Sequence, residues 1–427
     1  MSMFSWREVA MTPGAVVAPD ERLPWPQTAA MGIQHVIAMF GSTVLAPILM
    51  GFDPNLAILM GGVGTLIFYL VTGGRVPSWL GSSFGFIGVV IAATGYAGKG
   101  LNPHIPVALG GIVACGAAYV LIGLLVQAIG TGWIERFMPP VVTGGVVAVI
   151  GLNLASVPVK NMAAGNFDAW MQAVTFLCVG LVAVFARGMV QRLLIVVGLL
   201  LATVVYVLLT NGMGLGKPMD FSGIAAAAWI GTPHFTAPVF EAGAMLLIVP
   251  VVIILVAENL GHLKAVSAMT GHNLDPLVGR AFIGDGIATM VSGAAGGTGV
   301  TTYAENIGVM AATRIYSTAV FFVAALIALL LGFSPKFGAL IQAIPLPVMG
   351  GVSIVVFGLI AVAGAKIWVD NQVDFSQNRN LIVAAITLIL GTGDFTLKFG
   401  SFALSGIGTA TFGAIILWAL LGRSRNA

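Results

Sequence analysis

Three carboxylates lie where a carboxylate is expensive. Of fifteen Asp and Glu residues, Glu258, Asp285 and Glu305 sit within apolar stretches, the others in loops or at chain ends. An acid inside a membrane segment costs about 2.5–3.5 kcal/mol at a helix centre, so it marks a functional site by default. Glu258 and His262 are spaced i, i+4 in Pro250–His262 and share one helix face. A carboxylate and an imidazole so placed can share a proton, and histidine titrates near neutrality. The plainer alternative is a pair that pins two helices. Glu305 and Asn306 stand in Thr301–Gly308, running on to Thr313 and Arg314, after a small, flexible stretch from Ser292 to Gly299. A planar heterocycle with alternating N–H and C=O groups suits them: a carboxylate takes N–H, and an amide matches either group. The alternative is a polar knot that satisfies exposed backbone.

The remaining candidates are weaker. Asp285 either belongs to a proton path or holds a backbone N–H of the 301–313 break. Ser82–Phe86 offers free backbone groups to a ligand edge, and Phe84 or Phe86 a ring to stack on. Gln34-His35 lies in the first apolar segment, where His35 orients the site by hydrogen bonds or is a satisfied buried histidine. His104, His234 and His272 fall in loops. There is no nucleophile triad, no phosphate-binding loop and no metal spacing, so neither an enzyme nor ATP-driven transport is expected. Cys115 and Cys178 are read as small hydrophobes.

The elements that position these residues are membrane segments. The 427 residues are 58% hydrophobic and 8% charged. The charged share is about a third of the roughly 25% of soluble domains. Residues 1–26 carry five charged side chains and no apolar run before a cleavage site, so no signal peptide is expected. The net charge of +3 reflects topology, and no nucleic-acid partner is expected. Fourteen segments are read: 27–50, 55–72, 82–94, 105–128, 139–157, 171–186, 190–210, 243–268, 279–295, 301–313, 316–332, 344–364, 380–393 and 404–421. The third and tenth are too short to span as helix: 13 residues cover roughly 20 Å of a ~30 Å core. Part of each must run as extended chain buried in protein. With both termini inside, 13 of the 18 Lys and Arg residues fall in cytoplasmic segments, and Lys99, Lys160, Lys217, Lys336 and Lys398 outside. The longest exterior loop is 211–242.

The halves repeat. Phe86–Thr94 matches Asn306–Thr313 with one gap, and Pro139–Val146 matches Pro345–Val352. Seven segments per repeat is odd, so the halves have opposite orientation. That is the inverted-repeat plan of secondary transporters, with the site at the midplane between two discontinuous segments. The expected fold class is an all-α polytopic membrane protein of two inverted seven-segment repeats, with short extended stretches in segments 3 and 10.

Glu305-Asn306-x-Gly308, followed by Thr313-Arg314, resembles the signature of the nucleobase–ascorbate transporters (nucleobase:cation symporter-2). Gln34-His35 and Ala257–His262 resemble the family's other two motifs, and the likeness spans nearly the whole chain, nearest the bacterial uracil branch. The resemblance implies a proton-coupled symporter that imports uracil and related pyrimidines, with thymine or xanthine as further bases, across a bacterial inner membrane. It implies a homodimer with both termini cytoplasmic, and no cofactor beyond the coupling proton. A core domain (27–128 and 243–332) would move against a gate domain (129–242 and 333–421), with cytoplasmic ends at 1–26 and 422–427. Glu258 and Glu305 would hold the base edge, assisted by backbone at Phe84 and Ala304. His262 would couple to the proton, Asp285 support that coupling and His35 the site geometry. Purine members commonly carry Gln at the position of Glu305, which favours pyrimidines. Asn259 stands where relatives can carry His, leaving His262 as the one imidazole of its motif. The rivals are a purine or xanthine:proton symporter of the same family and an anion transporter of the same fold.

Overall fold

The computed structural model describes residues 4–10, 16–96, 100–399, 402–404 and 406–422. Lys99, Arg423 and Arg425, used above to orient the chain, lie outside them, as does the end of the expected tail. Helices occupy all fourteen expected segments: α1 (Trp25–Met50), α2 (Pro54–Val71), α3 (Ile87–Thr94), α4 (Ile105–Ile129), α5 (Pro140–Leu154), α6 (Asn166–Phe185), α7 (Leu194–Val207), α8 (Val251–Thr270), α9 (Val278–Ala295), α10 (Ala304–Thr313), α11 (Thr318–Gly332), α12 (Leu346–Asp370), α13 (Asn378–Thr392) and α14 (Gly406–Gly422). Their starts follow local chemistry. At α2, Asp53 caps the helix by accepting from the Asn55 N–H, and Pro54 fills the first position.

Three segments depart from expectation. Segment 8 is broken: a short helix, Ala242–Ile248, precedes Pro250, which has no N–H to continue the ladder. Helix α12 runs six residues past its expected end, to Asp370. An unexpected helix, Pro335–Gln342, leaves α11 at 83°, opened by a proline after the extended Ser334.

Segments 3 and 10 are half helix and half strand, as their length requires. Strand β1 (Leu80–Ser82) pairs antiparallel with β2 (Val300–Thr302), in the register Leu80 to Thr302, Gly81 to Thr301 and Ser82 to Val300. The remaining backbone groups are satisfied in symmetric fashion. Ser83 N–H donates to the Gly299 carbonyl (2.9 Å), and Tyr303 N–H to the Trp79 carbonyl (3.1 Å). Leu80 N–H donates to Thr65 Oγ1 (2.9 Å) from α2, and Val300 N–H to Thr289 Oγ1 (3.2 Å) from α9. Extended backbone is tolerated at this depth because protein supplies every partner.

The same symmetry governs the helix packing. Adding seven to each helix number exchanges the α2–α11 contact with α9–α4, and α5–α13 with α12–α6. It likewise exchanges α6–α7 with α13–α14, while α2–α9 and α5–α12 map onto themselves. The centre of the strand register, Gly81 opposite Thr301, has the same 220-residue offset as the sequence match of Phe86 to Asn306. The helices form two sets, α1–α4 with α8–α11 and α5–α7 with α12–α14, joined by smaller contacts. Within each set backbones approach closely. A Cβ on Gly116 of α4 would lie 2.7 Å from the Gly286 carbonyl of α9, and one on Gly151 of α5 would lie 2.2 Å from the Phe357 carbonyl of α12. Small residues provide such contacts where no water drives helices together.

Candidate functional site

The site lies where the two half helices start. Each follows its strand directly, so the N-termini of α10 and of the 3-10 turn Phe84–Phe86 that leads into α3 are brought to the centre of the fold. Helix N-termini carry free N–H groups and partial positive charge. Tyr303, at the N-cap of α10, makes no side-chain cap bond, and the Glu305 N–H is met by its own carboxylate. The Tyr303 hydroxyl donates instead to the Ser82 carbonyl (2.8 Å), locking one repeat to the other.

Glu305 occupies the first turn of α10, partly buried, and accepts from the Ser42 hydroxyl of α1. Glu258, also partly buried, lies on α8 beside the Ser83 hydroxyl and within electrostatic reach of Glu305. His262, one turn on, is fixed by its Nδ1, 2.8 Å from Thr302 Oγ1 of β2. Around these groups the wall is open. Ala304, Gly308 and Gly261 are exposed, and a Cβ on Gly308 or Gly261 would meet nothing within 4 Å. Phe84 packs edge-on against Phe357 of α12, with ring centroids 6.0 Å apart, where the two helix sets meet.

The other expected residues stand behind this face. Asn306 is fully buried, and its Nδ2 donates to His35 Nδ1 (3.0 Å) and to the His35 carbonyl (3.2 Å). Its amide therefore spends its donors on α1 rather than on the open face. His35, also fully buried, packs on Phe321 with centroids 4.6 Å apart. Asp285 is fully buried on α9, accepts from Asn259 Nδ2 (2.5 Å) and lies beside the Thr302 backbone. Phe86 is spent on packing: a Cβ on Gly299 would come 2.2 Å from its ring. The hydroxyls of Ser42, Ser83 and Thr302 were not picked out from the sequence, although Ser83 and Thr302 fall in stretches that were. The one available signal was helical spacing, since Ser42 follows His35 by seven residues, two turns along the same face.

Two carboxylates, a histidine and the N-termini of two half helices are thus brought together. Carboxylates accept N–H groups, and helix N-termini donate to carbonyl oxygens. Among the described residues no Lys or Arg pairs with Glu258 or Glu305, and no cluster of His, Cys, Asp and Glu suits a metal ion.

Comparison with known proteins decides the family. The profile described as "Permease family" matches residues 26–399. The chain belongs to this family. It is a nucleobase–ascorbate transporter of the uracil branch, and a transporter rather than an enzyme. It is 66% identical over 427 residues to the protein of Escherichia coli K12 named "Putative pyrimidine permease RutG", covering 99% of this chain and 97% of that one. It is 40% identical over 414 residues to the uracil permease of Paenibacillus larvae, covering 94% and 96%. Its fold is that of two solved transporters. The transmembrane domain of a cyanobacterial bicarbonate transporter, BicA, aligns at TM-score 0.58 and 14% identity, over 92% of this chain and 96% of that one. The murine anion transporter Slc26a9 aligns at TM-score 0.65 and 11% identity, over 94% and 69%.

Proposed function

We propose that this transporter imports uracil and related pyrimidines by proton symport across a bacterial inner membrane. The observation that carries the reading is that Glu258 and Glu305 lie within electrostatic reach of each other at the two half-helix N-termini. Uracil has N–H donors and C=O acceptors alternating on one edge. Carboxylates at Glu258 and Glu305 match the donors, and backbone N–H groups at Phe84 and Ala304 match the acceptors. Asn306 and His35 hold α10 against α1 behind the base. His262, held by Thr302, takes up the coupling proton, and Asp285 supports it from the Asn259 side. Coupling requires that protonation change base affinity between the two access states.

In this reading the set α1–α4 with α8–α11 is the core that carries the base, and α5–α7 with α12–α14 is the gate it moves along. The few contacts between the sets support relative motion. The protein works as a homodimer, with both termini in the cytoplasm. The names of the relatives support a pyrimidine substrate. The shared fold with anion carriers leaves the ion open, but two carboxylates in the site repel an anion. A purine or xanthine substrate is the nearer rival. Competition of labelled uracil uptake by a panel of bases separates them: uracil and thymine should compete at concentrations where xanthine and bicarbonate do not. Xanthine outcompeting uracil would overturn the pyrimidine reading.

A further inference from the structure

We infer a second binding site, for the phosphate headgroup of an anionic phospholipid, lined by none of the transport-site residues. It is a cavity of about 940 Å3 lined by Trp133, Arg136, Phe137, Arg379, Trp418 and Gly422, among others. The short helix Gly132–Phe137, the start of α13 and the end of α14 form its walls.

Four observations point to an anion with an apolar body. First, two buried donors here have no acceptor: Trp133 Nε1 and Arg379 Nε. A buried N–H left unpaired is costly, so two at one cavity call for an acceptor-rich ligand. Second, the cavity holds two guanidinium groups, and neither Arg136 nor Arg379 forms an ion pair among the described residues. Arg379 lies over the Trp418 ring and donates Nη2 to the Trp418 carbonyl, while Trp418 Nε1 donates to the Arg136 carbonyl (3.1 Å). These bonds hold the guanidinium of Arg379 in place and leave its Nε free. Third, the one acid that lines the cavity, Glu135, has a cation of its own, and the acid five residues before Arg379 is capped locally. Glu135 pairs with Lys264 (2.7 Å), and Asp374 accepts from Ser376 and from Gln377 Nε2 (3.2 Å). Fourth, the cavity lies at the ends of membrane helices, on the side that the basic residues lead one to expect in the cytoplasm. Basic pockets between transmembrane helices on that side hold anionic headgroups, and tryptophan marks the interface.

Phosphate chemistry alone would also fit a free anion. The lipid is favoured by the apolar wall of Trp133, Phe137 and Trp418, and by Phe137, Leu420 and Leu421, which stand exposed beside it. Acyl chains would cover those side chains while the phosphate meets Arg136, Arg379 and the two orphaned donors.

The test uses the full chain in a neutral detergent, with thermal unfolding and native mass spectrometry as readouts. The probes are phosphatidylglycerol, phosphatidylcholine and inorganic phosphate. Phosphatidylglycerol should raise the melting temperature and stay bound, and the other two should do neither. Arg136→Gln and Arg379→Gln should each weaken phosphatidylglycerol binding about tenfold, the scale of one charge-assisted contact. Arg136 is exposed, so its variant keeps the test open if Arg379→Gln does not fold. Equal protection by phosphatidylcholine, or unchanged binding in Arg136→Gln, would overturn the site. Protection by inorganic phosphate as large as by phosphatidylglycerol would overturn the lipid assignment. So would a melting temperature that rises with protein concentration and not with lipid, which would put a second copy there.

Discussion

Replacing Glu305 by Gln is an unusually informative perturbation, because the Ser42 donor favours one orientation of the amide. Ser42 donates its hydroxyl to the Glu305 carboxylate. A Gln that keeps Ser42 as its donor gives Ser42 its oxygen; the other orientation needs the hydroxyl to turn its proton elsewhere and accept from the amide. In the first orientation the NH2 points into the site, donor against donor, where a base N–H would sit. The substitution loses a hydrogen bond to a charged acceptor, about 1.5–3 kcal/mol, which is about 10- to 150-fold in KM for uracil. Adding Ser42→Ala frees the amide to turn its oxygen towards the base, so the double variant should bind uracil better than Glu305→Gln alone. Ser42→Ala by itself should weaken uracil by a few-fold, since Glu305 loses its anchor. The assay is initial uptake of labelled uracil into proteoliposomes over a concentration series, for the four proteins of the cycle. Additive effects would refute the argument that Ser42 orients Glu305, because coupled groups give non-additive cycles. A KM in Glu305→Gln within twofold of the parent would refute the larger claim that Glu305 holds the base.

Three further outcomes follow from the geometry. Thr302→Val removes the hydroxyl 2.8 Å from His262 Nδ1, so the pH profile of uptake should shift while the melting temperature changes little; an unmoved profile would detach His262 from coupling. Gly81→Ala would place a methyl 2.5 Å from the Tyr303 ring and should cost about 1–3 kcal/mol of stability, read as a lower melting temperature with reduced uptake. The N-terminal segment should loosen in acid. Glu21 is held below its ordinary carboxylate range, first by the Ala18 N–H and then by Arg7. That contribution is present above the unfolded pKa of ~4.3 and is lost as pH falls through the lower folded value. Proton exchange at the Val17 amide, which donates to the Arg314 carbonyl (3.0 Å), should therefore lose protection below about pH 4, corrected for the intrinsic rate, and Glu21→Gln should abolish that dependence.

Much of the architecture was legible because membrane length and internal repetition are strong constraints. Thirteen-residue segments at 82–94 and 301–313 could not cross as helices, and both are strand followed by half helix. The match of Phe86 to Asn306 reappears as the register of Gly81 with Thr301. What stayed hidden was set by partners distant in sequence. Nothing local to Ser42 announces that it faces Glu305, 263 residues away. Thr302 looks like any threonine until α8 brings His262 beside it. Asn306 shows the opposite failure. Its donors suited a base on paper, but one step along α10, about 100° round the helix, puts it against His35 while Glu305 contacts Ser42. The helix Pro335–Gln342 was missed because its eight residues are too few for a periodic signal between two apolar runs.

The central claim is that a site built on Glu258 and Glu305 moves a pyrimidine with a proton. Its most direct measurement is labelled uracil uptake by the purified chain in proteoliposomes, with and without an imposed pH gradient, acid outside. Uptake should rise above equilibration only with the gradient, and should be lost in Glu258→Gln. Accumulation that ignores the gradient, or that persists in Glu258→Gln, would contradict the account.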